Sequence, residues 1–198
     1  NKVLTSGEGG AIVTDSREKF EKLKLIRSHG RKTTGNYFSS IQTPEYVQLG
    51  YNWRMSSITA ALCSAQLKKI EKLIDSRRKN AKYYQKKLQN NKQIMIHEEP
   101  KGYKHVYQLY SICLPSRTIR NELSKFLAKN GIMSKVFFEP MHTSKHFLNN
   151  KIKQNEMKNT SKISDCILSL PMYPDLTKNE IDKISDVISE FFEKRESN

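Results

Sequence analysis

The stretch Asn1-Lys-Val-Leu-Thr-Ser-Gly-Glu-Gly-Gly-Ala-Ile-Val-Thr-Asp15 (NKVLTSGEGGAIVTD) sets one lysine a few residues ahead of a glycine-rich turn, with an apolar run straight after it. Ala11 to Thr14 is short, β-prone and follows a glycine pair, a pattern that predicts a buried strand. The turn Gly7-Glu8-Gly9-Gly10 is not GxGxxG and precedes a strand instead of opening a helix, which argues against a phosphate loop. Its glycines instead permit positive φ and close backbone approach. Glu8 is either a buried, hydrogen-bonded carboxylate or plain turn polarity. Lys2, beside such a turn and strand, is a candidate covalent nucleophile, since burial and cationic neighbours would free its amine. A lysine near a chain end is by itself an ordinary surface charge, so its context must carry the assignment.

Downstream, Phe20, Leu23, Ile26 and Arg27 recur at helical spacing and stop near His29-Gly30. Residues 31–50 read as a long polar loop with Gly35, Pro44 and Gly50. Gly50-Tyr-Asn-Trp-Arg-Met55 then places an amide, Asn52, and a guanidinium, Arg54, just before a helix that Ser56 or Ser57 can cap. That set suits a phosphate or another anion; the plainer reading is a capped loop with an exposed arginine. Ile58, Ala61, Leu62, Ala65, Ile70, Leu73 and Ile74 mark the apolar face of one long helix, broken near Asp75 and basic beyond Arg77. The domain boundary is placed there, giving residues 1–77 and 78–198.

The second part has a different grain. Val106–Leu114 reads as a strand, Ser116–Asn130 as a helix closed by Gly131, and Ile132–Phe138 as a second strand. Residues 157–170 hold a helix ending before Pro171. Thr177 and Glu180 form a capping box for a last helix striped by Ile181, Ile184, Val187, Ile188 and Phe191. The order predicts a small α+β lobe with a helix-covered sheet. His142, in Phe137-Phe-Glu-Pro-Met-His142, directly follows a strand; it is a loop histidine or a site residue. His29, His97, His105 and His146 share no metal spacing with it.

The 198 residues are 36% hydrophobic with periodic apolar positions, which argues against disorder and suits one domain or one domain plus a smaller lobe. The formal net charge of +15 would fit a nucleic-acid surface. The lysines, however, run along the whole chain, with no zinc spacing or recognition-helix signature. Cys63, Cys113 and Cys166 are far apart, form no metal or disulfide pattern, and read as buried thiols of a reducing compartment. No apolar run is long enough to span a membrane.

Taken together these segments resemble the DegT/DnrJ/StrS-type sugar aminotransferases. NKVLTSGEGGAIVTD is similar to the family's lysine segment. Ile26-Arg-Ser-His-Gly-Arg31 resembles its arginine-x-His-Gly turn, and Leu49–Leu67 its Gly-Tyr-Asn-aromatic-Arg-Met segment and following helix. His105–Leu114, Gly131-Ile132, Glu139–His142 and Ile167–Thr177 follow in the family's order, so the likeness runs from Lys2 to about Phe192.

The resemblance implies an α/β chain. Residues 1–77 would be the closing portion of a pyridoxal 5'-phosphate-dependent transferase large domain, aspartate aminotransferase-like and of fold type I. Residues 78–198 would be the small α+β C-terminal domain. It implies that Lys2 is the catalytic residue, tethering the cofactor and shuttling a proton. Asn52 and Arg54 would reach across a homodimer interface to the neighbouring subunit's cofactor phosphate, and His142 would lie near the sugar nucleotide. The implied reaction is cytoplasmic amino transfer from a glutamate-type donor to a keto-sugar nucleotide. Some dehydrating relatives carry histidine in place of this lysine, so Lys2 is similar to the transaminating branch. The family has a large portion ahead of the lysine, with the aspartate that pairs with the pyridinium nitrogen. These residues do not include it. The expectation is therefore a chain that exposes apolar surface and does not turn over alone. A non-catalytic interaction module of the same fold and a basic nucleic-acid binder are the alternatives.

Overall fold

The computed structural model of the chain describes residues 2–32, 43–150 and 157–196. The chain divides into two compact units, Leu4–Lys69, and Ile70–Asn198 together with Asn1–Val3.

In the first unit, α1 (Arg17–Arg27) starts at Ser16, whose hydroxyl accepts the Lys19 N–H. Glu18 in its first turn and Lys24 and Arg27 in its last complement the helix dipole. The chain leaves α1 through His29 (φ 63°) and Gly30 (φ 68°), the stop that the glycine predicts. The expected polar loop holds a small ribbon, β1 (Arg31–Lys32) paired antiparallel with β2 (Glu45–Tyr46); Gly35 lies outside the described residues. Ser56 caps α2 (Ser57–Leu67) by accepting the Thr59 N–H.

Two expectations for this unit are corrected. Ala11–Thr14 is not a strand: these residues join no ladder, and Val13 is 97% exposed. A strand is held by backbone bonds to a neighbour, and among the described residues none pairs with this run. The long helix breaks earlier than Asp75. Lys69 N–H bonds to Gln66 O, tightening the turn after α2, and α3 (Ile70–Leu88) then runs through Asp75 unbroken. Burial decides the break. α2 buries none of its residues, whereas α3 buries Ile74, Arg77, Ala81, Tyr84 and Leu88 along one face.

The second unit holds the core. After α3 come β3 (Met95–Ile96), β4 (Tyr110–Cys113) and α4 (Arg117–Lys129). A 3-10 turn (Met141–Thr143), α5 (Lys145–Asn149), α6 (Lys158–Cys166), β5 (Ile167–Leu170) and α7 (Lys178–Glu196) follow. The antiparallel sheet has the order β3-β4-β5. Its alternation sets Tyr110 opposite Leu170 and Ile112 opposite Leu168, all buried. Tyr84 of α3 stacks on Tyr110 at 4.7 Å, and its hydroxyl donates to Pro171 O. α7 packs on both α3 and α4 and buries all five positions of its expected stripe.

Three further expectations shift. β4 starts at Tyr110 and not at Val106, because Tyr107 is left-handed (φ 45°) and Arg77 binds the Tyr107 and Gln108 carbonyls. From Ile132–Phe138 only Lys135 pairs, exchanging both backbone bonds with Ser169 on the far edge of β5. The helix expected to reach Pro171 ends at Cys166, and Ile167–Leu170 becomes β5, because there it can bury Leu168 and Leu170 against β4.

Candidate active-site residues

Two of the motifs interlock within the first unit. Tyr51 N–H donates to Ile26 O at 2.6 Å, His29 N–H to Tyr51 O at 2.9 Å, and Trp53 N–H to Arg27 O at 2.9 Å. Ser28 and Asn52 form an antiparallel bridge. The approach is so close that a Cβ on Gly50 would stand 2.0 Å from Gly30 N, and one on Gly30 1.7 Å from Gln48 O. These two glycines are therefore what allows the helix stop of α1 to grip the segment leading into α2.

The grip sets side-chain direction. Extended alternation sends Tyr51 and Trp53 one way, where their rings stack at 4.2 Å and 5°. It sends Asn52 and Arg54 the other way, where Arg54 Nε donates to Asn52 Oδ1 at 3.0 Å. Both polar residues are exposed, just ahead of the α2 N-terminus. With Asn52 Oδ1 engaged by Nε, the remaining guanidinium N–H groups, the amide Nδ2 and the positive end of α2 form a donor-only set. Such a set fits an anion of phosphate type. The glycine turn comes near the same segment, since a Cβ on Gly9 would lie 2.8 Å from Met55 Cε. Gly7 (φ 86°) and Gly9 (φ 132°) take the positive φ that the sequence predicts, with Ser6 Oγ donating to Glu8 O. Glu8 itself is exposed, so it is turn polarity and not a buried carboxylate.

Lys2 is exposed. The burial expected of an activated amine is not supplied by this chain's own residues. His142 is half-buried in the 3-10 turn, with Nε2 3.2 Å from Ser161 Oγ on α6. Residues flanking Ser161, namely Asn159, Thr160 and Ile163, line a recess of about 360 Å³ together with Phe137 and Phe138. Ser161 escaped the sequence reading because one serine in a polar helix carries no signal of its own. Among the described residues no group of three His, Cys, Asp or Glu side chains could hold a metal ion.

The sequence matches the DegT/DnrJ/EryC1/StrS aminotransferase family over residues 1–189. It is 31% identical over 189 residues to a pleiotropic regulatory protein of Geobacillus stearothermophilus, covering 94% of this chain and 48% of that protein. It is 28% identical over 196 residues to a GDP-perosamine synthase of Escherichia coli O157:H7, covering 97% of this chain and 50% of that one. Among solved structures it is similar to Helicobacter pylori PseC, an aminotransferase involved in the biosynthesis of pseudoaminic acid. There the TM-score is 0.87 at 27% identity, over 98% of this chain and 51% of that chain. The chain thus spans about half the length of the relatives it matches.

Proposed function

The chain belongs to the DegT/DnrJ/EryC1/StrS aminotransferase family, and from that premise we propose that it is the carboxy-terminal part of a pyridoxal 5'-phosphate-dependent sugar-nucleotide aminotransferase. The observation that carries this reading is the Asn52–Arg54 donor pair, locked in place by the backbone bonds between Ile26–His29 and Tyr51–Trp53. When bound, the cofactor supplies an electron sink that makes an α-proton of the amino donor labile.

Each named residue has a task in that scheme. The ε-amine of Lys2 would hold the cofactor through its aldehyde, and the same amine would serve as the base that moves the proton at the substrate carbon. Asn52 and Arg54 hold the cofactor phosphate of the neighbouring subunit, which makes a homodimer necessary for a complete site. His142, fixed by Ser161, orients the keto-sugar nucleotide. Residues 1–77 belong to the large domain and residues 78–198 form the small one. The remainder of the large domain encloses Lys2 and removes it from water. The amino donor is a glutamate-type amino acid and the reaction is cytoplasmic. Among the described residues no helix is long and apolar enough to cross a membrane.

The test uses the longer protein that carries the family's upstream portion. Borohydride trapping followed by peptide mapping should place the pyridoxyl group on Lys2, and Lys2→Ala should abolish amino transfer to a keto-sugar nucleotide. Transamination surviving in Lys2→Ala would refute the assignment. Loss of one charge-assisted contact in Arg54→Ala should weaken cofactor binding by about 2 kcal/mol, roughly thirtyfold, read by spectroscopic titration.

A further inference from the structure

The proposed substrate joins a sugar to a nucleobase through phosphates, and the residues assigned so far attend only to the sugar, through His142. The recess beside α6 has the features that a base requires. Phe137, Phe138 and Ile163 give it apolar walls, and Asn159, Thr160 and Ser164 give it polar groups. Its volume of about 360 Å³ falls in the range of small-molecule sites. The Phe137 and Phe138 rings meet edge to face, with centroids 4.8 Å apart at 64°. Phe138 is 71% exposed, which leaves ring surface open to a ligand. Ser164 is 4% exposed, the most buried of the six, and its Oγ has no hydrogen-bond partner. A buried hydroxyl left unpaired costs free energy, and a ligand atom seated in the recess would pair it. The Ser164 carbonyl accepts Arg120 Nη1 at 2.8 Å, so α6 is fixed to α4 at this residue. Met157 gives α6 no side-chain cap, so backbone N–H groups of its first turn, at Asn159 and Thr160, remain as further donors. None of the described residues that line the recess is charged, which disfavours a phosphate and favours a neutral ring.

We propose that this recess is the nucleobase subsite of the sugar nucleotide, with the base stacked on Phe138 and its polar edge read by Asn159, Thr160 and Ser164. The inference rests on the reading above that the substrate is a sugar nucleotide. Stacking accepts any base, because every base has a π-face. An asparagine amide offers a donor and an acceptor side by side, which matches the hydrogen-bonding edge of a base. Phe138 therefore supplies affinity, and the three polar residues supply the choice among bases. α6 serves both ends of the ligand: Thr160 lines the recess, and the next residue, Ser161, lies 3.2 Å from His142 Nε2.

The experiment titrates the chain, without cofactor, with uridine, cytidine, thymidine, guanosine and adenosine, read by saturation-transfer NMR. One nucleoside should bind several-fold more tightly than the others. Phe138→Ala should weaken all five about tenfold, and Ser164→Ala should remove the preference while stacking persists. Both variants should fold, since Phe138 is exposed and the Ser164 hydroxyl has no partner to lose. In the longer protein, Phe138→Ala should raise KM for the keto-sugar nucleotide about tenfold at unchanged kcat. Nucleosides that do not bind, that bind equally well to Phe138→Ala, or that bind no better than glucose would overturn the subsite. Nucleoside binding that responds to these substitutions, with no amino transfer in the longer protein, would uphold the recess and sink the aminotransferase reading instead.

Discussion

Arg77 is the most demanding single residue in the second unit. It is 6% exposed, and its Nη1 is shared by the carbonyls of Tyr107, Gln108 and Met172 at 3.1, 3.2 and 3.1 Å. Burial lowers its pKa, and the carbonyl dipoles offset that cost. One side chain thus ties α3 to the approach of β4 and to the exit of β5. Replacing it with methionine keeps the volume but leaves three carbonyls without a donor. Arg77→Met should cost about 3 kcal/mol, read as a lower urea midpoint at unchanged slope. Beside it, the Arg78 guanidinium grips Glu99 with two nitrogens, and the His105 N–H adds a third bond. Arg78 first and the His105 amide second hold the Glu99 carboxyl at about 2, below its ordinary 4.5. A depressed folded-state value stabilises the fold above pH 4.5, and that contribution is lost as the pH falls toward 2. Glu99→Gln should therefore flatten the dependence of stability on pH across that window. If denaturant midpoints from pH 5 down to 2 fall equally steeply in both proteins, this coupling is absent.

At the scale of elements, helix ends report how local a signal is. The α7 capping box forms in full: Thr177 Oγ1 accepts the Glu180 N–H at 3.3 Å, while Glu180 Oε2 accepts the Thr177 N–H at 2.7 Å. Thr177→Ala should cost about 1 kcal/mol, seen as a lower thermal midpoint, and less in Thr177→Ser. Such features were legible in the sequence because they involve residues three positions apart. The same holds for the Gly131 stop of α4, where φ is 74°. Strands were not legible in this way. Ala11–Thr14 has the composition of a strand and no partner, whereas Ile167–Leu170 looks like a helix tail and pairs with β4. β3 is two residues long and carries no pattern at all. In each case the deciding bond comes from a chain segment far away in sequence, which no window contains.

For the whole molecule, the same distinction separates the site from its surroundings. The order of motifs from Lys2 to Phe192 revealed the family, whereas the bond from Arg54 to Asn52 came only with the structure. Lys2 is exposed, and the enclosure proposed for it would have to come from surfaces outside this chain. The first unit shows the consequence. Among its described residues only Ser6 and Gly30 are buried, while Ile12, Leu49, Trp53 and Ile58 are 73%, 79%, 62% and 83% exposed. Large apolar side chains left this exposed mark a surface that wants a partner, and in the proposed enzyme the rest of the large domain covers them. A helix without a buried face gains little from tertiary packing and exchanges its amides through local opening. In the isolated chain, α1 and α2 should therefore exchange far faster than α3, α4 and α7, and an apolar dye such as ANS should bind strongly. In the longer protein, α2 should become as protected as α7 and the dye signal should fall. Equal protection of α2 and α7 in the isolated chain would show that the first unit is stable by itself, leaving its apolar face unexplained by a covering domain.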